Sequence, residues 1–188
     1  MQSQWGIPRF MPLAAFTDPS NGYLLDDTCI FGVEVFVIKN SGLGECFTPK
    51  EATSYTHEWK ISKFSTLEEE HCRSEPFFAG SEKWKLHLYP RGASAARNES
   101  LSIFLCLADS GKLDLGQKVN ASFTIQLRGE DGTVYRERTS SPLWFSRSSP
   151  GWGWSSFASL KRVQEYLVDD LCVIEAKVAF LGTARRLP

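Results

Sequence analysis

Apolar side chains occupy every second position through much of the chain's second half and the stretch before it. Trp59 and Ile61, then Trp84, Leu86 and Leu88, then Leu101, Ile103, Leu105 and Leu107, then Val119, Ala121, Phe123, Ile125 and Leu127 all follow this rule. A period of two puts alternate side chains on one face, so it predicts strands over His57–Ile61, Lys83–Tyr89, Leu101–Leu107 and Val119–Leu127. Pro90-Arg91-Gly92 removes a donor and adds a flexible turn, ending the second of these. Gly129-Glu130-Asp131-Gly132 supplies the turn of a hairpin into Thr133–Arg138. Pro142–Phe145 reads as a short strand or edge segment, and Ser62–Glu70 as a turn or short helix. Apolar residues at 157, 160 and 163 instead predict a helix over Ser155–Gln164, with serine available as its N-cap. Seven or eight antiparallel strands with one short helix imply an all-β, two-layer sandwich.

The chain also repeats itself. Tyr23-Leu-Leu-Asp-Asp-Thr-Cys29 and Tyr166-Leu-Val-Asp-Asp-Leu-Cys172 agree at five of seven positions. Upstream, Trp5-Gly6 matches Trp152-Gly153, Phe10 matches Phe157, and Leu13 matches Leu160. Downstream, Cys29, Phe31, Val33, Val35 and Val37 alternate like Cys172, Ile174, Ala176, Val178 and Phe180, predicting a strand in each copy. The spacing differs between Leu13 and Tyr23, where Thr17–Gly22 reads as a surface loop that tolerates length change. About a hundred strand-rich residues precede the second copy, and none precede the first. The expected organisation is therefore a C-terminal remnant of a first domain over 1–38, a linker over 39–54, a complete domain over 55–182 and a tail over 183–188.

Composition narrows the function. The 188 residues carry 21 basic and 22 acidic side chains, without the cationic excess that nucleic-acid or polybasic membrane binding requires. With 13% aromatic residues there is ample apolar surface to bury, which argues against general disorder. No apolar run approaches the ~20 residues of a membrane span, and the first 25 lack a basic start with an apolar block. The expected location is cytoplasmic, with the nucleus also open. Five cysteines, an odd count without a C-x-x-C spacing, argue against a disulfide or redox set, and Cys29, Cys106 and Cys172, inside apolar runs, read as buried thiols.

The motifs W-K-I-x-K-F (Trp59–Phe64), K-W-K-L-x-L-Y-P-R-G (Lys83–Gly92), L-S-I-F-L (Leu101–Leu105), W-G-W-x-x-F (Trp152–Phe157) and Y-L-V-D-D-x-C-x-I-E-A-x-V (Tyr166–Val178) occur in this order. Together they resemble the MATH domain, the meprin and TRAF homology sandwich, and the repeated tail looks most like plant proteins with MATH domains in tandem. The resemblance implies an eight-stranded antiparallel TRAF-like sandwich without catalytic activity or cofactor. It implies binding of a partner protein's short extended peptide in a surface groove.

Alternation independently puts Phe104 with Ser102 and Cys106 on the face opposite Leu101, Ile103, Leu105 and Leu107, where an exposed aromatic marks a binding surface. The resemblance adds Trp152, Gly153 and Trp154 to the groove, together with the stretch Thr139–Phe145. Where peptide binders tend to carry a tyrosine, this chain has Leu143 or Trp144; where many have an acidic residue before W-G, it has Gly151.

Other chemistry finds little support. The pairs Asp26-Asp27 and Asp169-Asp170 fall short of the six or more oxygens of a calcium site and are expected to satisfy backbone donors instead. His57, His71 and His87 lie in different elements, His57-Glu58 lacks the second histidine of a zinc-protease helix, and no nucleophile elbow or phosphate loop is present. A second reading, a structural or oligomerising module or a dominant-negative shortened form, rests on residues 28–37: an apolar strand without its sheet invites pairing with another chain.

Overall fold

The computed structural model describes residues 9–33 and 44–186, Ala52 by its backbone alone. The chain divides into two compact units, Met1–Lys39 and Asn40–Pro188. In the first, Leu13–Thr17 forms helix α1, and Leu25 and Thr28 pair across a tight turn. Among the described residues the second holds ten strands: β1 (Glu45–Ile61), β2 (Cys72–Arg73), β3 (Phe77–Ala79), β4 (Glu82–Tyr89), β5 (Ser100–Leu107), β6 (Lys118–Arg128), β7 (Val134–Thr139), β8 (Leu143–Ser146), β9 (Gly151–Ser159) and β10 (Cys172–Arg186). Helix α2 (Leu160–Tyr166) connects the last two.

The strands form two antiparallel sheets, β1-β10-β6-β7 with β8 also on β6, and β2-β4-β5-β9 with β3 also on β4. β7 and β8 lie along successive stretches of β6, residues 124–128 and 118–121, and so share one edge position. β2 and β3 likewise share the edge beside β4. Ten segments thus fill eight positions, four per sheet, as a TRAF-like sandwich requires. The alternating residues meet between the layers: Trp84, Leu86, Leu88, Ile103, Leu105, Val119, Ala121, Ile125, Ala176 and Val178 are fully buried. Each large side chain removed from water contributes about 1.5–3 kcal/mol. Trp84 keeps its indole N–H satisfied, donating to the Ala79 carbonyl at 3.1 Å.

Several expectations need correction. Residues 45–54, expected as linker, form the first part of β1, and residues 183–186, expected as tail, are the end of β10. The two stretches pair with each other from Glu45↔Arg186 to Pro49↔Gly182, which satisfies backbone groups that neither could satisfy alone. Helix α2 starts at Leu160; residues 155–159 belong to β9, and Ser159 occupies the N-cap position without a side-chain capping bond. In the first repeat copy, residues 29–33 carry no strand, and the remainder of the strand expected there, 34–37, lies outside the described residues.

The repeated Asp-Asp turn folds alike in both places. Asp26 and Asp27 have φ of 47° and 56°, Asp169 and Asp170 of 51° and 56°, and each pair is bracketed by a β-bridge, the pattern of a type I′ turn. Asp170 takes up backbone and side-chain donors of Ser65 at 2.9 and 2.8 Å. Among the described residues no group of three or more His, Cys, Asp or Glu is placed to hold a metal ion.

Candidate functional site

β9 lies at the edge of its sheet, and among the described residues it pairs only with β5. Residues directly opposite in an antiparallel pair share a face. Leu105↔Trp152 and Ile103↔Trp154 therefore put both tryptophans on the inter-sheet side, while Phe104↔Gly153 and Cys106↔Gly151 put the glycines on the outer side. Register then shifts between Leu101 and Ile103, so that Ser102 alone opposes the three residues Ser155–Phe157. Such a bulge leaves backbone groups without ladder partners. Ser102, fully buried, fills the gap: its hydroxyl accepts from the Ala93 N–H at 2.8 Å and donates to the Ser155 carbonyl. The bulge also lets Trp154 and Phe157, three positions apart, pack on the same core, with ring centroids 5.9 Å from each other.

Across the seam stands the β7/β8 edge of the other sheet. Arg136 Nε donates to the Phe157 carbonyl at 3.0 Å and Arg138 Nη1 to the Ser156 carbonyl at 2.9 Å, so β7 satisfies the carbonyls of the bulge. The Arg138 guanidinium lies 5.4 Å from the Trp154 ring centre, a cation–π contact. At the other end Trp152 Nε1 donates to the Trp144 carbonyl at 2.8 Å. Between these ties the seam opens as a groove of about 260 Å³. Thr139, Ser140, Ser141 and Leu143 form one wall, Trp152, Gly153 and Trp154 the other, and Phe123 packs edge-on to Trp154 at 5.4 Å.

On the outer face Phe104 meets Tyr89 edge-to-face at 6.0 Å. His87 sits opposite Phe104 on β4, its Nε2 buried without a partner among the described residues. Burial, reinforced by Lys85, Arg73 and His71, pulls its pKa down to about 4, so the ring is neutral near pH 7. Burial pushes the Cys106 thiol up to about 11, keeping it protonated and unreactive. Gly151 and Gly153 leave the outer face of β9 bare beside this aromatic pair. At Gly153 the absence of a side chain is required: a Cβ would stand 2.1 Å from the Ile103 carbonyl oxygen and 2.5 Å from Phe104 Cα.

The six residues singled out from sequence therefore divide by face. Leu143, Trp152, Gly153 and Trp154 line one groove. Phe104 lies half-buried on the opposite side of the β5–β9 sheet, adjacent to Gly153. Trp144, 40% exposed, turns to the outer face of the other sheet and packs edge-on to Phe47 at 5.6 Å. Sequence reasoning missed Arg138, Phe123 and Tyr89. Phe123 reads as ordinary core, Arg138 as a solvated strand position, and only the outward alternation of Lys85, His87 and Tyr89 hinted at the last.

The MATH domain family model matches residues 1–35 and 56–178. TNF receptor-associated factor homolog 1b of Arabidopsis thaliana is 33% identical over 133 residues, covering 65% of this chain and 12% of that protein. A MATH domain and coiled-coil domain-containing protein of the same plant is 30% identical over 127 residues, covering 65% of this chain and 38% of its own length. Ubiquitin C-terminal hydrolase 13, also of Arabidopsis thaliana, is 29% identical over 135 residues, 70% of this chain and 12% of that protein. The chain thus spans between about a tenth and two fifths of these relatives. Among solved structures, TRAF5 of Notothenia coriiceps shares the fold with a TM-score of 0.51 at 19% identity, over 65% of this chain and 72% of that one.

Proposed function

Because the chain belongs to the MATH domain family, generally a protein-interaction module, we propose that it is a non-enzymatic adaptor whose sandwich binds a short extended peptide of a partner protein at β9. The observation that carries this reading is the edge position of β9, with a groove on one face and bare glycines beside Phe104 on the other. An extended peptide added to this edge would hydrogen-bond through its main chain, and its side chains would alternate between the two faces. Those turned inward would enter the groove between Leu143, Trp152 and Trp154. Those turned outward would lie across Gly151 and Gly153 toward Phe104 and Tyr89. A single module of this kind binds at about micromolar strength.

The test is a paired pull-down from native extract, wild type against Phe104→Ala, read by mass spectrometry with circular dichroism as the folding control. A set of partners lost with the Phe104 ring while the fold persists is the expected result. Identical partner sets would overturn the site. The second reading, assembly through residues 28–37, is favoured by one observation within the described part of that segment: Ile30, Phe31 and Val33 are 94%, 69% and 88% exposed. Self-association of that kind would survive Phe104→Ala.

A further inference from the structure

The seam between β7 and β9 opens a second time beyond Arg138. There β7, the end of β9 and helix α2 enclose a polar pocket of about 270 Å³. Two guanidinium groups line it, Arg136 from β7 and Arg162 from α2, together with the hydroxyl-bearing Ser100, Ser156 and Ser159. Tyr135 and Tyr166, also in the lining, stack flat on each other at 4.4 Å with 4° between their planes. Among the described residues no carboxylate lines the pocket. Among the described residues neither arginine takes part in an ion pair; the six that form involve other side chains.

Arg136 is held in place. Its Nε donates to the Phe157 carbonyl at 3.0 Å, which fixes the plane of the fork and leaves its Nη groups to other acceptors. Ser156 and Ser100 are linked hydroxyl to hydroxyl at 2.9 Å, a pair that can turn a donor toward a bound oxygen. Two cationic forks without carboxylates, surrounded by hydroxyl donors, call for an anion. A phosphomonoester suits them better than a carboxylate, because it brings nearly two charges and three acceptor oxygens to bidentate guanidinium donors.

The geometry points to this pocket as a binding site for a phosphomonoester dianion, and the inference stands whether or not a peptide occupies the edge of β9. The site has two accessible sources of ligand. Ser159 follows Trp154 by five positions on the same strand, so a peptide laid along β9 would carry a phosphorylated side chain to it. A free phosphate compound would enter from solvent.

The experiment is a titration of the full chain followed by amide ¹H–¹⁵N correlation spectra. The probes are inorganic phosphate, a capped glycine–phosphoserine–glycine tripeptide, its unphosphorylated form, and chloride at matched ionic strength. Saturable shifts at the amides of Ser100, Ser156 and Ser159 are expected with both phosphorylated probes and with neither control, at dissociation constants on the order of millimolar. Arg162→Gln should weaken them about tenfold, the loss of one charge-assisted fork. Arg162 is exposed, so this variant keeps the fold, and amides remote from the pocket report on that directly. Arg136→Lys should weaken binding too, because an ammonium has no fork. Tighter binding of the phosphotripeptide than of phosphate would make the ligand protein-borne, and equal binding would make it a free phosphate compound. The absence of saturable shifts, or shifts unchanged in Arg162→Gln, would overturn the site.

Discussion

His87 joins the outer face of the candidate site to the stability of the sheet. Its ring is half-buried, its Nε2 has no partner among the described residues, and its pKa lies at about 4, below the ordinary 6.5. The shift comes first from burial and then from Lys85, Arg73 and His71. A histidine whose folded pKa is depressed favours unfolding as protons are added, because the unfolded chain binds the proton first. Its neutral form therefore supports the fold fully above pH 6.5, and that support is lost progressively down to about pH 4. Urea denaturation of wild type and His87→Gln across this window should show wild type losing about 1–2 kcal/mol more, a figure discounted for the solvent that still reaches the ring. Parallel curves would show that His87 does not titrate in this way. At the neighbouring Phe104, alternation in the sequence was enough to assign the outward face, because every flanking position is occupied by a core residue or a small one. Trp144 was not assignable in the same way. Only the pairing of β8 with Asn120 and its neighbours decides which of Leu143 and Trp144 faces the groove.

Strands and their irregularities decide what else could be read. Strands with one face buried along their whole length, β4, β5, β6 and β10, announce themselves by a period of two. β2 and β3 are two and three residues long, too short to show any period. β9 was obscured by its bulge. Trp152, Trp154 and Phe157 are separated by two and then three positions, and the second interval, continued to Leu160 and Val163, imitates a helix. The W-x-W-x-x-F spacing is thus the signature of a strand that changes register midway, with Ser102 of the facing strand closing the gap. Ser102→Ala would leave the Ala93 N–H without its acceptor and the Ser155 carbonyl without its donor, both in a part-buried setting. A loss of about 2–3 kcal/mol is expected in chemical denaturation, with faster hydrogen exchange at the amides around the bulge. A change under about 0.5 kcal/mol would mean that water replaces the hydroxyl at both groups.

For the molecule as a whole, the division into two units sets the question of what the first one does. Among the described residues every member of the buried core lies between Ile61 and Ala184, so the sandwich contains its own hydrophobic support. The first unit reproduces the local geometry of the second at its Asp-Asp turn, yet its counterparts of buried positions are not buried. Ile30 and Phe31, the two residues after the first turn-and-cysteine motif, are 94% and 69% exposed, where Val173 and Ile174, the two after the second, are each 2% exposed. Apolar surface of this kind is stabilised by pairing with another sheet edge, and a second copy of the chain is one source of such an edge. Sedimentation velocity of the full chain against residues 44–188 separates assembly from peptide recognition. If residues 28–37 assemble the protein, the full chain sediments faster as concentration rises, while the shorter chain remains a monomer. Phe104→Ala should leave that difference unchanged, since its ring belongs to the β5 face and not to the first unit. A full chain that stays monomeric at all concentrations would remove the assembly reading and leave the adaptor reading alone. Both chains should also unfold cooperatively with the same denaturant midpoint for the sandwich, because each carries the entire core from Ile61 to Ala184.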